Sequence, residues 1–375
     1  MNKNLWWWVA GIVVVVGVFY GMYHKQPQAS GSTVKIGVIL PMTGIAANYG
    51  ENQSNAIHLA VDEINARGGV LGKPLEVILE DDGTEPTKTV SAYQKVIDVD
   101  HVPVVIGAVW DFLANAVMPI VDSKKIPTIS ASAAPDSLTT KSDAFFTTFP
   151  PISVHQPIVE KYLNHAQGSR VAIMYINNAW GIAHRDMYRK AAASTGKQIV
   201  AEIELPNFDN NDIQSEVTRL KSVKPDILLT SVNLIDPKLI IEKNKDLGLN
   251  ANIFGHDNIV ASYQNKNIRK DALKDVVVYR LARSDSDFFD KYKKAYGATP
   301  ISEADKAYDA VYVIAKAIEL SQDTSSQGIL RGLKQIKDYQ GVSGPIDYTQ
   351  NNWPTTDTSR LEIYNGTDFV SYLEQ

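Results

Sequence analysis

The chain has 375 residues, of which 44% are hydrophobic, 37 basic and 42 acidic, with no cysteine. At about 100 to 200 residues per domain, it holds two to three domains of well-mixed globular sequence. The missing cysteine excludes a disulfide scaffold, thiolate zinc sites, iron–sulfur ligation, thiol nucleophiles and a lipid-modified N-terminal cysteine; a net charge of −5 excludes a nucleic-acid binder, which would need a basic face.

Leu5 to Tyr23 form 19 uncharged, mostly apolar positions between Lys3 and His24-Lys25. As a helix they would run about 28 Å, close to the hydrocarbon thickness of a bilayer. Trp6, Trp7 and Trp8 at one end and Tyr20 and Tyr23 at the other match interfacial aromatic belts. Residues 1–25 are therefore expected to be a single-pass anchor in the cell membrane, with the globular part extracytoplasmic. A cleaved secretory signal is the alternative, although its best cleavage site within Pro27–Ser32, Ala29 preceded two residues earlier by Pro27, is poor. Residues 26–33 are a polar Pro- and Gly-containing linker.

From Val34 the sequence alternates strand and helix. Val34–Leu40 is a β-branched run fit for a buried parallel strand, and Ala56, Ile57, Ala60, Val61 and Ile64 recur at helical spacing until Gly68-Gly69. Leu75–Asp81 is a second strand, Val90, Tyr93, Val96 and Ile97 mark a second helix, and Pro103–Ala108 is a third strand. This repeated βαβ unit predicts an α/β fold with a doubly wound parallel sheet.

The plan restarts near Arg170. Val171–Ile176 is a strand, Gly181–Ala193 a helix and Ile199–Leu205 a strand; Ile213, Val217 and Leu220 mark a helix before the strand Asp226–Thr230. The loop after the first strand ends on Tyr49-Gly50 in one half and on Trp180-Gly181 in the other, which predicts two lobes of similar fold. The Pro-Pro pair within Phe146–Ser153 is a natural crossing between them. Helices follow over Phe288–Tyr296, Glu303–Leu320 and Ile329–Ile336, and Asn365-Gly366 predicts a type I′ hairpin within Leu361–Leu373. The expected division is residues 34–150 plus 281–342 in lobe 1 and 151–280 plus 343–375 in lobe 2.

Catalytic and metal motifs are missing. Gly72-Lys73 is followed by Pro74 where a phosphate loop needs Ser or Thr; there is no His-Glu-x-x-His and no Gly-x-Ser-x-Gly. Glu80-Asp81-Asp82 reads as a turn that caps the next helix before it reads as a cation site. No enzyme, cofactor or metal is expected. The expected site is the cleft between the lobes, beyond the carboxyl ends of the strands.

The run from Val34 to Val90, with Val104–Ala108, Ile126–Thr139, the Trp-Gly after a strand and Gly341–Tyr348, resembles the branched-chain amino-acid-binding proteins, type I periplasmic binding proteins that serve ABC importers. The likeness spans about residues 34 to 375. It implies two lobes joined by three crossings, closing on a small solute without chemistry, with ABC permease subunits as partners and a monomeric soluble part. By the same resemblance Tyr49 and Trp180 cover the solute, one from each lobe, or act as helix-entry staples. Asp257 falls where the family holds the ligand's ammonium group, or serves as a turn residue.

Two positions depart from the amino-acid pattern. Asp111, beside Trp110, stands where the family offers a serine hydroxyl to the ligand carboxylate, or is a helix cap; Ser132-Ala133-Ala134 stand where it offers Ala-Thr. Glu303 adds an acid near an aromatic contact of the family, and Asn233 is expected to contribute an amide from lobe 2. The expected solute is small and polar: an amide, an amine or an amino-acid-like compound. A ligand-sensing ectodomain or regulator of the same fold is the alternative.

Overall fold

The computed structural model describes residues 32–134, 138, 141–206, 213–232, 237–264, 268–280, 286–301 and 303–373. The expected anchor lies outside the described residues; among the described residues no helix is long and apolar enough to cross a membrane.

The first sheet is parallel, in the order β2-β1-β3-β4-β5, with β1 Val34–Leu40, β2 Leu75–Asp81, β3 Val105–Ile106, β4 Thr128–Ser130 and β5 Phe145–Thr147. Its interior strand β1 is buried on both faces, which is why it reads as a continuous apolar run. Ile36, Val38 and Leu40 pack into one core, and Ile39 into the core on the opposite face. The first core is covered by α1 (Ala47–Ala66), which buries the predicted Ala56, Ile57, Ala60, Val61 and Ile64. The opposite face is covered by α2 (Pro86–Gln94) and α3 (Asp111–Lys124). The third strand is shorter than expected, but its hydrogen bonding extends further: Gly37 N–H donates to Val104 O and Gly107 N–H to Ile129 O.

The chain then enters α4 (Gln156–His165), β6 (Arg170–Ile176), α5 (Ala179–Ser194), β7 (Gln198–Leu205), α6 (Gln214–Val223), β8 (Ile227–Ser231), α7 (Pro237–Asp246), β9 (Asn252–His256), α8 (Asn258–Gln264) and β10 (Val277–Arg280). These strands build a second sheet, β14-β13-β10-β9-β8-β6-β7, parallel from β7 to β10 and antiparallel at β13 (Arg360–Tyr364) and β14 (Phe369–Ser371). It too has an apolar core on each face.

The later helices return to the first core. There α9 (Ser286–Tyr296), α10 (Ala304–Ser321) and α11 (Ser326–Leu333) contribute Phe288, Tyr292, Ala307, Val311, Ile314 and Ile329. Helix α11 starts three residues before the predicted Ile329 because the Ser325 hydroxyl caps it, accepting from Gly328 N–H at 3.1 Å. The pair β11 (Tyr339–Gly341) and β12 (Gly344–Ile346) follows, and Ile346 and Tyr348 also lie in the first core. Buried Asp309 of α10 accepts from Val342 N–H and Ser343 N–H and holds this hairpin, and a last crossing leads from the first core at Tyr348 to a core of the second sheet at Leu361. It runs beside the first crossing: Thr147 N–H donates to Asn352 O, and the Tyr348 hydroxyl to Thr147 O.

The terminal hairpin is present, but its turn is not type I′. Tyr364 pairs with Phe369, leaving a four-residue loop in which the Asn365 side chain accepts from the N–H groups of Thr367 and Asp368. Only Gly366 of the dipeptide has positive φ, whereas type I′ needs both.

Candidate functional site

In each lobe a glycine fixes an aromatic residue beside a strand end. A Cβ on Gly50 would stand 2.2 Å from Pro41 O, just past β1, and one on Gly181 would stand 2.1 Å from Ile176 O, the end of β6. Both helices therefore start pressed against a strand end, with Tyr49 and Trp180 immediately before the contact. Trp180 is oriented further by the helix cap, in which the Asn178 side chain accepts from Gly181 N–H at 2.8 Å.

Tyr49 and Trp110 are both half-buried and meet edge to face at 5.4 Å. Trp110 has a left-handed φ of 64° at the entry to α3. Burial raises the Tyr49 phenol above its ordinary range, and the charges of Glu303 and Asp257 raise it further, so it stays a protonated donor. Glu303 belongs to lobe 1 and Asp257 to lobe 2, so both lobes bear on this hydroxyl. Ala134 packs into a core of the second sheet, which places the lobes in contact.

Asp111 is 6% exposed, and its Oδ1 accepts from Ala134 N–H at 3.0 Å. It is the first residue of α3 and makes no capping bond at the cap position, which is Trp110. Burial pushes its carboxyl up to about 7 against the lowering effect of the Ala134 N–H. The N–H groups of Ser132 and Ala133 are also taken, both by the Ser130 hydroxyl at 3.3 and 3.0 Å. The backbone donors expected to orient a solute are thus satisfied inside lobe 1. The Ser132 side chain accepts from Gln53 Nε2 at 2.9 Å, and the same amide nitrogen donates to Glu303 Oε2 at 3.1 Å. Burial pushes Glu303 up to about 8; the Ser132 hydrogen bond and Lys306 pull it down, and Asp257 and Asp305 push it up.

On the other lobe, Asp257 lies 3.1 Å from His256 Nδ1 and keeps 39% of its side-chain surface accessible. Burial raises its carboxyl, but the His256 hydrogen bond and charge, with Arg280 and Lys306, bring it below the usual carboxylate range. Trp180 rests on two imidazoles, His184 at 4.0 Å and His256 at 4.6 Å between ring centroids. His184 Nδ1 donates to Trp180 O at 2.9 Å, which leaves Nε2 to accept from the Tyr279 hydroxyl at 2.6 Å. Burial holds His184 well below its ordinary pKa and therefore neutral. The buried His256 Nε2 has no partner among the described residues. Asn233 lies outside the described residues.

The sequence reading missed Gln53, His184 and His256. Gln53 and His184 follow Tyr49 and Trp180 by one helical turn, the i, i+4 spacing that puts both on one face. Two other features fall away from the cleft. Asp81 spends its carboxylate on the N–H groups of Met42, Thr43 and Gly83, and no metal-holding cluster occurs among the described residues. A small crevice lined by Thr148, Pro150, Lys306, Ser343 and Pro345 sits where the crossings meet α10.

Residues 33–361 match the family model described as periplasmic binding protein. The chain belongs to that family. Its members are solute-binding proteins, not enzymes. The Leu/Ile/Val-binding protein BraC3 of Rhizobium johnstonii is 30% identical over 229 residues, 60% of this chain and 62% of that protein, so the match spans less than two thirds of its length. Two solved structures share the fold at a TM-score of 0.77 and 24% identity each. One is the branched-chain amino-acid transporter substrate-binding protein LivJ of Streptococcus pneumoniae with isoleucine, covering 91% of this chain and 100% of that one. The other is an ABC-transporter solute-binding protein of Rhodopseudomonas palustris with 3,4-dihydroxybenzoic acid, covering 88% and 93%.

Proposed function

We propose that this protein is an extracytoplasmic solute-binding protein that closes two hinged lobes on a small polar molecule and delivers it to an ABC importer, and that its solute lacks the free carboxylate of a branched-chain amino acid. Family membership supports the first part. One observation carries the second: the Asp111 carboxylate already accepts the Ala134 N–H, where the family resemblance puts the ligand's carboxylate. A second carboxylate about 4 Å away would be repelled by roughly 4 kcal/mol at an effective dielectric of 20. Micromolar binding amounts to about 8 kcal/mol in total, so against ionised Asp111, the form that prevails above pH 7, that repulsion halves the available free energy. Tyr49, Trp110 and Trp180 shape the pocket, and Asp257 and Glu303 accept hydrogen bonds. The apolar stretch Leu5–Tyr23 tethers the protein to the membrane.

A thermal-shift series with leucine, leucinamide, 3-methylbutylamine and isovalerate tests this reading, because the four share one side chain and differ in charge. Leucinamide or the amine should give the largest shift, and Asp111→Ser should move the preference toward leucine. Largest shifts with leucine or isovalerate in the wild type would overturn it.

A further inference from the structure

We infer that Ser231 and His256, side by side at the carboxyl ends of β8 and β9 and next to Trp180, form a hydroxyl-reading subsite, and that the solute carries an alcohol or phenol group which both side chains hold. The subsite rests on the reading of the cleft as the solute site and names the chemistry of one part of the solute.

Four polar side chains form a row across the second sheet near the carboxyl ends of its strands. Tyr175 of β6 stands opposite Ser231 of β8, and His256 of β9 opposite Tyr279 of β10. The β8–β9 register pairs Leu229 with Phe254, and two residues further it sets Ser231 opposite His256. The chains are still joined at that point, because the Thr230 hydroxyl donates to Phe254 O at 3.2 Å and the Asn258 side chain donates to Val232 O. Residues opposite each other in register point to one face. The row therefore lies on the face where Tyr175 and Tyr279 pack and which α5 covers. Ser231 and His256 are the last residues of their strands, the place where open parallel sheets hold ligands.

The outer members of the row are satisfied within the protein. The Tyr175 hydroxyl donates to Glu204 at 3.1 Å and the Tyr279 hydroxyl to His184 Nε2 at 2.6 Å. The inner members are not. Ser231 is fully buried and His256 is 7% exposed, yet neither Ser231 Oγ nor His256 Nε2 has a hydrogen-bond partner among the described residues. A buried polar atom left unpaired carries its full desolvation cost, and folded proteins keep few of them. Here two stand on adjacent strands of one face, so a single bound group can relieve both.

The two atoms specify that group. His256 Nδ1 lies 3.1 Å from the Asp257 carboxylate, which only accepts, and farther, at 3.5 Å, from Asn258 N–H. The hydrogen of the neutral ring is then on Nδ1, and Nε2 offers a lone pair, while Ser231 has an O–H to give. A hydroxyl donates to the first and accepts from the second. A primary amide nitrogen would leave the Ser231 hydrogen without an acceptor, and a carboxylate would set its own lone pairs against Nε2. Trp180 meets His256 edge to face at 4.6 Å, so a solute packed on that indole lies beside the pair. A buried water satisfies the same two atoms and is the rival occupant.

The test is isothermal titration calorimetry of the full chain in detergent with threoninamide and valinamide, threonine and valine, and tyramine and phenethylamine. Within each pair one hydroxyl is present or absent. The hydroxyl member of the pair that binds best should bind about tenfold or more tightly than its partner, as a site built to hydrogen-bond a hydroxyl discriminates. Ser231→Ala and His256→Phe should each bring that ratio close to one, a readout that a merely structural role would not move. Unliganded Ser231→Ala should melt no lower than the wild type, because it removes an unpaired polar group. If it melts lower and the ratio is unchanged, the pair holds a structural water and the subsite is wrong. If no hydroxyl compound binds, or valinamide binds as tightly as threoninamide, the subsite falls while the proposed function stands. If threonine binds more tightly than threoninamide but loses its advantage over valine in Ser231→Ala, the subsite stands and the proposed carboxylate-free solute falls.

Discussion

At the residue scale, Asp111 decides more than its neighbours because one atom has two claimants. Its Oδ1 holds the Ala134 N–H, and burial pushes the carboxyl up to about 7. A ligand carboxylate can approach only when Asp111 is protonated. The affinity for leucine should therefore rise as pH falls from 9 to 7, by up to about tenfold per unit, and flatten below. Calorimetric titrations across that range in wild type and Asp111→Ser check this; the leucine slope should vanish in the variant. Asp111 was legible in the sequence as a departure from the family's serine. Gln53 was not, because its partner Glu303 lies 250 residues away and nothing local marks that contact.

At the element scale, the aromatic-Gly pairs show why part of the fold could be read directly. Each needs a helix start against a strand end, and that need is local in sequence. Gly181→Ala should destabilise the protein by about 1–3 kcal/mol, as overpacking against backbone does, since Ile176 O cannot move away without disturbing β6. It should also weaken ligand binding by displacing Trp180, which chemical denaturation and titration would read separately. Gly50→Ala should do the same through Pro41 O and Tyr49. Short strands resisted the reading for the converse reason. β3, β4 and β5 have two or three residues each, too few for a period, and are strands only because neighbours bind them. Likewise the last hairpin was found from its Asn365-Gly366 dipeptide, but its loop length is set by the pairing of Tyr364 with Phe369.

At the scale of the whole molecule, four carboxyl groups in lobe 1 are raised together by burial: Glu303 to about 8, Asp111 to about 7, Asp309 to about 6, and Asp82 above its ordinary range. Each takes up its proton more readily folded than unfolded. The native state thus binds more protons than the unfolded chain between about pH 4 and 8, and stability falls as pH rises through that window. Asp257 and Asp357 are shifted the other way, chiefly by His256 and His155 working against burial, so the stability they add is lost as pH falls below about 4. The unliganded protein should therefore melt highest near pH 5 and several degrees lower at pH 8, and Glu303→Gln should flatten the upper part of that slope. Melting curves at pH 5, 6, 7 and 8 check this. If the empty protein instead gained stability between pH 5 and 8, the buried carboxyls would be ionised in the folded state.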